Sequence, residues 1–121
     1  MKPPKPVDAG EPSPERLNDG WEIAAFIATY ALYEIDEEFV AEQFLGKHAT
    51  LQLVPVAQLR EGGRDHNLQS PANELKYQKM DLRTLPPLLV EGGEVLDGNH
   101  RLRASIKRGL AEMWCYVVEE D

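Results

Sequence analysis

A single cysteine, Cys115, excludes an internal disulfide in this 121-residue chain and suits a reducing compartment. No apolar run approaches the roughly 20 residues that a membrane-crossing helix needs. The opening Met1-Lys2-Pro3-Pro4-Lys5-Pro6 lacks the apolar centre of a secretory signal, so a cytoplasmic location is the expectation. The three histidines, His48, His66 and His100, stand isolated, which is not the spacing of a metal site. Common catalytic motifs are missing as well: there is no Gly-x-x-x-x-Gly-Lys-[Ser/Thr] phosphate loop, no Cys-x-x-Cys, no His-Glu-x-x-His and no Gly-x-Ser-x-Gly elbow. Surplus positive charge is absent too. The net charge is −8; residues 1–50 hold ten acids and four bases, and residues 51–121 hold eleven acids and nine bases. Such a balance argues against sequence-independent binding of nucleic acid, which depends on basic surface.

What is present is the composition of one folded domain, with 42% hydrophobic and 28% charged residues. Residues 1–14 carry five prolines and no apolar periodicity, which predicts a disordered or extended arm, with residues 15–121 forming a single domain. Asn18 and Asp19 can cap a helix starting near Gly20, whose apolar stripe runs through Trp21, Ala24, Ala25, Ala28, Ala31 and Leu32. Asp36 starts a second helix, with Ile35 and Val40 at the staple positions and Gly46 placed as its left-handed end. These helices make residues 15–48 a helical N-terminal part.

The alternating, branched run Leu51–Val56 predicts a strand in which Pro55 marks an edge or an end. Residues 60–69 predict a polar loop, and Ser70-Pro71 open a helix running to about Met80. Leu88–Val90 and Glu94–Leu96 flank the paired glycines Gly92 and Gly93, a hairpin signal. A helix from about Asn99 to Arg108, a strand over Met113–Val118 and a solvated tail at Glu119–Asp121 complete the order α-α-β-α-β-β-α-β. The class is α+β, a small mixed sheet packed with helices.

The most informative stretch is Val95-Leu96-Asp97-Gly98-Asn99-His100-Arg101-Leu102-Arg103-Ala104. A strand feeding a helix through a glycine aims unpaired backbone N–H groups outward, and the helix dipole adds positive charge there, so an anion fits. From Gly98 to Leu110 the chain holds Arg101, Arg103, Lys107 and Arg108 and no acid, which makes phosphate the natural ligand. Spacing predicts one face of Leu102, Ile106 and Leu110, with Ala104 beside it, packed on the sheet. His100, Arg103 and Lys107 form a second face, and Arg101, Ser105 and Arg108 a third. The expected clamp uses backbone amides near Gly98, Asn99 and His100, a bidentate contact from Arg101, and Arg103 nearby. The plainer reading is a solvated helix end whose bases complement the dipole, and it suits Lys107 and Arg108. Asp97 either caps the helix or holds a magnesium ion or a substrate hydroxyl.

Asp-Gly-Asn-His-Arg-Leu-Arg-Ala resembles the signature of the ParB/sulfiredoxin superfamily, a Gly-x-[His/Arg]-Arg turn at a helix start. The matching segment is Gly-Glu-Arg-Arg in ParB partition proteins, Gly-Cys-His-Arg in sulfiredoxins and Asp-Gly-His-His-Arg in archaeal free-serine kinases. Leu85–Val90 resembles the strand before that motif, and Gly109 with Met113–Val118 its closing glycine and strand, so the resemblance covers about residues 51–118. It implies that family's small mixed sheet, with the two N-terminal helices as additions. Asn99 stands where sulfiredoxins carry their nucleophilic cysteine, so sulfinic-acid reduction by that route is excluded, and Cys115 reads as a core residue. Asn99 also replaces the glutamate that ParB proteins use in metal-dependent nucleotide binding.

The kinase version of the motif is nearest. By that resemblance the expected function is binding of a nucleotide or other phosphorylated ligand at Asp97–Arg103, with Mg²⁺-dependent phosphoryl transfer or nucleotide hydrolysis as the chemistry. Arg101 would hold phosphate, His100 would contact it or move a proton, and Asp97 would hold metal. Glu61 and Asp65 are the candidate bases, with Arg64 and His66 in the same loop; His48 has no assigned role. An alternative is a non-catalytic accessory module of DNA maintenance, phage- or plasmid-borne, that offers its acidic N-terminal helices to a protein partner. A ParB-like nuclease is a third reading, and the acidic surface counts against it.

Overall fold

A computed structural model describes residues 2–63 and 69–121. The chain opens with a two-stranded ribbon, β1 (Val7–Asp8) and β2 (Glu11–Pro12), followed by β3 (Arg16–Leu17), α1 (Gly20–Tyr30) and α2 (Glu37–Gln43). Next come β4 (Lys47–Pro55), a single 3₁₀ turn at Val56–Gln58, β5 (Arg60–Glu61) and α3 (Pro71–Lys79). The hairpin β6 (Leu88–Glu91) and β7 (Glu94–Asp97), then α4 (Asn99–Lys107) and β8 (Glu112–Glu120), complete it.

Local chemistry starts each helix. The Asp19 carboxylate accepts from the Glu22 amide at 2.9 Å, Asp36 from the Phe39 amide at 3.1 Å, and the Ser70 hydroxyl from the Asn73 amide at 3.3 Å. Each satisfies one orphan donor of a first turn. Gly20 must be glycine for another reason: a Cβ there would lie 2.3 Å from the Ala41 carbonyl oxygen, so α1 and α2 touch backbone to backbone.

Six strands form one mixed sheet in the order β3-β4-β8-β6-β7-β5. β4 and β8 pair antiparallel along their whole lengths, from Lys47 opposite Glu120 to Pro55 opposite Glu112. β6 runs parallel to β8, and β5 parallel to β7. Because side chains alternate across a strand, β8 feeds two cores. Tyr116 and Val118 join Ile23, Ile27, Val40 and Leu89 under α1 and α2. Met113 and Cys115 join Tyr77, Leu88, Val95 and Leu102 under α3 and α4. The fold is therefore α+β, with two helices on each face of a mixed sheet, as expected.

Several expectations change. Of the segment 1–14, read as a disordered or extended arm, residues 2–14 are described and are folded onto the domain. The Trp114 indole N–H donates to the Pro3 carbonyl at 3.0 Å, the Tyr116 hydroxyl to the Pro14 carbonyl at 2.7 Å, and the Val7 amide to the Arg83 carbonyl at 2.7 Å. Proline lacks an amide but keeps its carbonyl, and two of these bonds use that carbonyl. β3 and the start of β4 lie inside the stretch read as wholly helical, and β4 begins at Lys47 rather than Leu51. Pro55 does end its strand, the second of the two placements expected for it, and that strand is interior to the sheet. Part of the expected 60–69 loop is β5, and Glu119 and Glu120 extend the last ladder although their side chains are exposed.

The core carries a pH prediction. Burial pushes the Cys115 thiol from 9.0 up to about 12. Burial first, then the charges of Tyr30, Glu15 and Asp8, push the Tyr116 hydroxyl from 10.0 up to about 12. Both groups are neutral in the acid form, so the folded state favours that form and the unfolded chain ionises first. Their contribution to stability is complete below pH 9 and is lost as pH rises towards 12. Urea midpoints measured from pH 8 upward should fall across that window, and Cys115→Ser should flatten the first part. A midpoint that stays level or rises would contradict the assignment.

Candidate functional site

The turn between β7 and α4 is built as its sequence suggests. Gly98 sits at φ 111°, in the left-handed region, and a Cβ there would meet Leu88 Cδ2 at 2.8 Å and Arg101 Nη2 at 2.9 Å. Glycine alone fits. The Leu102 amide donates to the Gly98 carbonyl at 2.8 Å, closing the first helical turn.

Around this glycine the chain buries Asp97, Asn99, His100 and Arg101, at 7, 0, 4 and 2% exposure. Arg101 Nη2 donates to Asp97 Oδ2 at 3.2 Å and to the Pro87 carbonyl at 3.0 Å. Its guanidinium lies 5.2 Å from the Tyr30 ring centre and 5.8 Å from that of Tyr77. Two aromatic faces and one carboxylate thus compensate a buried cation. Asn99 makes a paired contact with the backbone of one residue, Gly62, in the segment after β5. The Gly62 amide donates to Asn99 Oδ1 at 3.2 Å, and Asn99 Nδ2 donates to the Gly62 carbonyl at 2.7 Å. This clamp sets Glu61 beside α4, where Arg103 Nε donates to Glu61 Oε1 at 3.0 Å and Nη2 contacts the same oxygen.

The expected faces of α4 are rotated. Leu102 and Ala104 do face the sheet, but Ile106 is 56% exposed and Ser105 is fully buried, its hydroxyl donating to the Arg101 carbonyl at 2.8 Å. The ion pair and the Asn99 clamp draw the polar first turn inward, and the helix turns with it. The basic run is also less open than its sequence suggests. Lys107 pairs with Glu74, whose carboxyl it holds below the usual range by hydrogen bonding. Arg108 Nη1 donates to the Tyr77 and Met80 carbonyls at 3.0 and 2.6 Å, closing the C-terminal end of α3. All four bases of this segment therefore have partners within the chain.

Of the residues singled out in the sequence, Asp97, Gly98, Asn99, His100, Arg101, Arg103 and Glu61 come together. Asp65, with Arg64 and His66, lies outside the described residues. His48 lies elsewhere, its ring nitrogen 2.7 Å from the Asp121 carboxylate. Tyr30 and Tyr77 were missed, and only the fold brings their rings to Arg101. The space enclosed at the turn, bordered by Tyr30, Asn73 and His100, is about 10 Å³, the limit for one water molecule. Asp97 is the carboxylate at this turn, and among the described residues no three His, Cys, Asp or Glu side chains gather as a metal set. No described helix is long and apolar enough to cross a membrane.

No protein-family model matches the chain, and no curated protein matches it. Among solved structures, a Pnob8-like ParB-N domain aligns with a TM-score of 0.52 at 20% identity, over 62% of this chain and 32% of that one. This chain thus spans about a third of that structure's length. Sulfiredoxin from Arabidopsis thaliana aligns at 0.49 and 17% identity, over 60% of this chain and 86% of that one. The class is a mixed sheet layered between helix pairs, with a glycine turn into α4. More narrowly, the fold is similar to that of the ParB-N domain.

Proposed function

We propose that this domain binds a phosphorylated small molecule, a nucleotide, at the Asp97–Arg101 turn. One observation carries the reading. Four polar side chains are buried within five consecutive positions around a left-handed glycine at a helix start, while elsewhere the described core buries only Ser13 and Ser105 as polar residues. Well-packed apolar residues would hold such a turn as firmly or more so, so stability alone does not account for the cluster. Arg101 Nε is buried without an acceptor among the described residues, which leaves one guanidinium donor for a ligand oxygen. The start of α4 supplies the favourable dipole end.

In this reading the ligand's phosphate displaces the Asp97 carboxylate from Arg101, and the enclosed space opens as it enters. The displaced carboxylate is then the group to hold Mg²⁺ arriving with the nucleotide. When bound, that ion neutralises charge on the phosphate oxygens. His100 contacts phosphate or moves a proton. Glu61 is a less available base than its sequence position suggests, since one of its oxygens is held by Arg103. Phosphoryl transfer or nucleotide hydrolysis is the chemistry this arrangement would serve.

The test is a thermal-shift panel of ATP, ADP, CTP and GTP, each with and without Mg²⁺, with affinities then taken by titration calorimetry on His100→Gln and Arg103→Gln. One nucleotide should raise the melting temperature in a dose-dependent way, by about 2.7 kcal/mol of added stability at 100 times its dissociation constant. His100→Gln should weaken that nucleotide about tenfold or more, the loss of one hydrogen bond to a charged group. Flat responses to all four nucleotides would reject the reading. They would favour a non-catalytic accessory module, which has its own support: Trp21 on α1, Phe39 on α2 and Leu45 in the turn after α2 are 58, 54 and 83% exposed.

A further inference from the structure

A second hollow, beside α1, shares one residue with the turn, Tyr30, whose ring also meets the Arg101 guanidinium. It is a cavity of about 250 Å³ between the N-terminal segment and α1, walled by Phe26, Tyr30 and Tyr116, with Asp8 and Glu22 at its border. The three rings are steeply inclined. Phe26 meets Tyr30 at 64° with ring centres 5.4 Å apart, and Tyr116 at 78° with centres 5.0 Å apart. Tyr116 is only 1% exposed and backs the corner, so a guest meets the half-buried Phe26 and Tyr30, whose ring faces carry negative potential.

Charge points the same way. Asp8 and Glu22 enter no ion pair among the described residues. Lys5, a nearby base, is committed to Glu15 and lies 5.9 Å from the Trp114 ring centre. Burial first and the Asp8 carboxylate next raise the Tyr30 hydroxyl above its ordinary value, against the opposing charge of Arg101. An anion is repelled there, and a neutral ligand gains nothing from the carboxylates.

We propose that this cavity binds a small organic cation, an alkylated ammonium group on a short stem, held by the Phe26 and Tyr30 rings and by Asp8 and Glu22. The volume lies below the usual range for drug-sized ligands, which limits the guest to a headgroup and a few carbons. Tyr30 is shared with the phosphate turn, so the test is built on Asp8 and Glu22, which take no part there.

Choline is the probe, titrated against the intact chain and followed by NMR of the Phe26, Tyr30 and Tyr116 ring protons, with 3,3-dimethylbutanol as the uncharged isostere. Choline should saturate in about the millimolar range, and the isostere should bind roughly tenfold more weakly or not at all. The double variant Asp8→Asn/Glu22→Gln changes two exposed side chains and should keep the native circular dichroism spectrum while weakening choline several-fold. Phe26→Leu should weaken it as well. No saturable binding, equal binding of the isostere, or full affinity in the double variant would each overturn the proposal.

Discussion

Arg101→Ala is expected to lose about 3–5 kcal/mol of folding stability, the cost of leaving one member of a buried ion pair behind. The Arg101 and Asp97 side chains are 2 and 10% exposed, so solvent does little to screen the remaining carboxylate. Two ring contacts, to Tyr30 and Tyr77, and the bond to the Pro87 carbonyl are lost with the guanidinium. On a domain whose total stability is about 5–15 kcal/mol, this approaches unfolding. The companion variant separates charge from packing: Arg101→Met with Asp97→Leu removes both charges and keeps apolar volume, and should recover most of the loss. Urea denaturation of the three proteins measures it. If Arg101→Ala costs less than about 1 kcal/mol, the pair is wetter and weaker than its burial implies.

Asn99→Ala is the second large effect, at about 2–5 kcal/mol. The substitution leaves the buried Gly62 amide and carbonyl each without a partner, and an unsatisfied buried group costs about 1–3 kcal/mol. Asn99→Asp should fare little better, because the carboxylate cannot donate to the Gly62 carbonyl, 2.7 Å away. Gly62 has no room for a side chain, since a Cβ there would lie 2.2 Å from Glu94 Cγ. Hydrogen exchange at the Gly62 and Glu61 amides is the specific readout. It should speed up far more than exchange in the β4–β8 ladder, whereas uniform acceleration would mean that Asn99 acts on global stability alone.

Features that a short stretch of sequence encodes were legible in it. Asp19, Asp36 and Ser70-Pro71 started helices where expected, Gly92-Gly93 turned a hairpin, and the motif glycine took its left-handed position. Each of these depends on neighbours within about four residues. What stayed hidden depends on distant partners. The proline-rich N-terminus carries no periodic signal of its own, and it is held by Trp114 and Tyr116, 111 and 102 positions beyond the residues they bind. The basic run after Gly98 looked free because Glu61 and Glu74 sit on other elements. Spacing alone placed Ile106 inside, and no local rule reports that a buried Arg101 and a fully buried Asn99 turn the helix another way.

The order of strands in the sheet also sets the order of events as the chain folds. β8, the last element described, is the strand that joins β4 to β6, so neither of those can complete its pairing until β8 has arrived. Even the closest rungs of the β4–β8 ladder, Pro55 and Glu112, are separated by nearly half the chain. Such non-local closure is slow compared with helix formation. A chain still leaving the ribosome would thus carry formed helices beside an open β4 edge bearing Leu51 and Leu53. That edge is the segment on which a chaperone, or an aggregating neighbour, has the longest time to act.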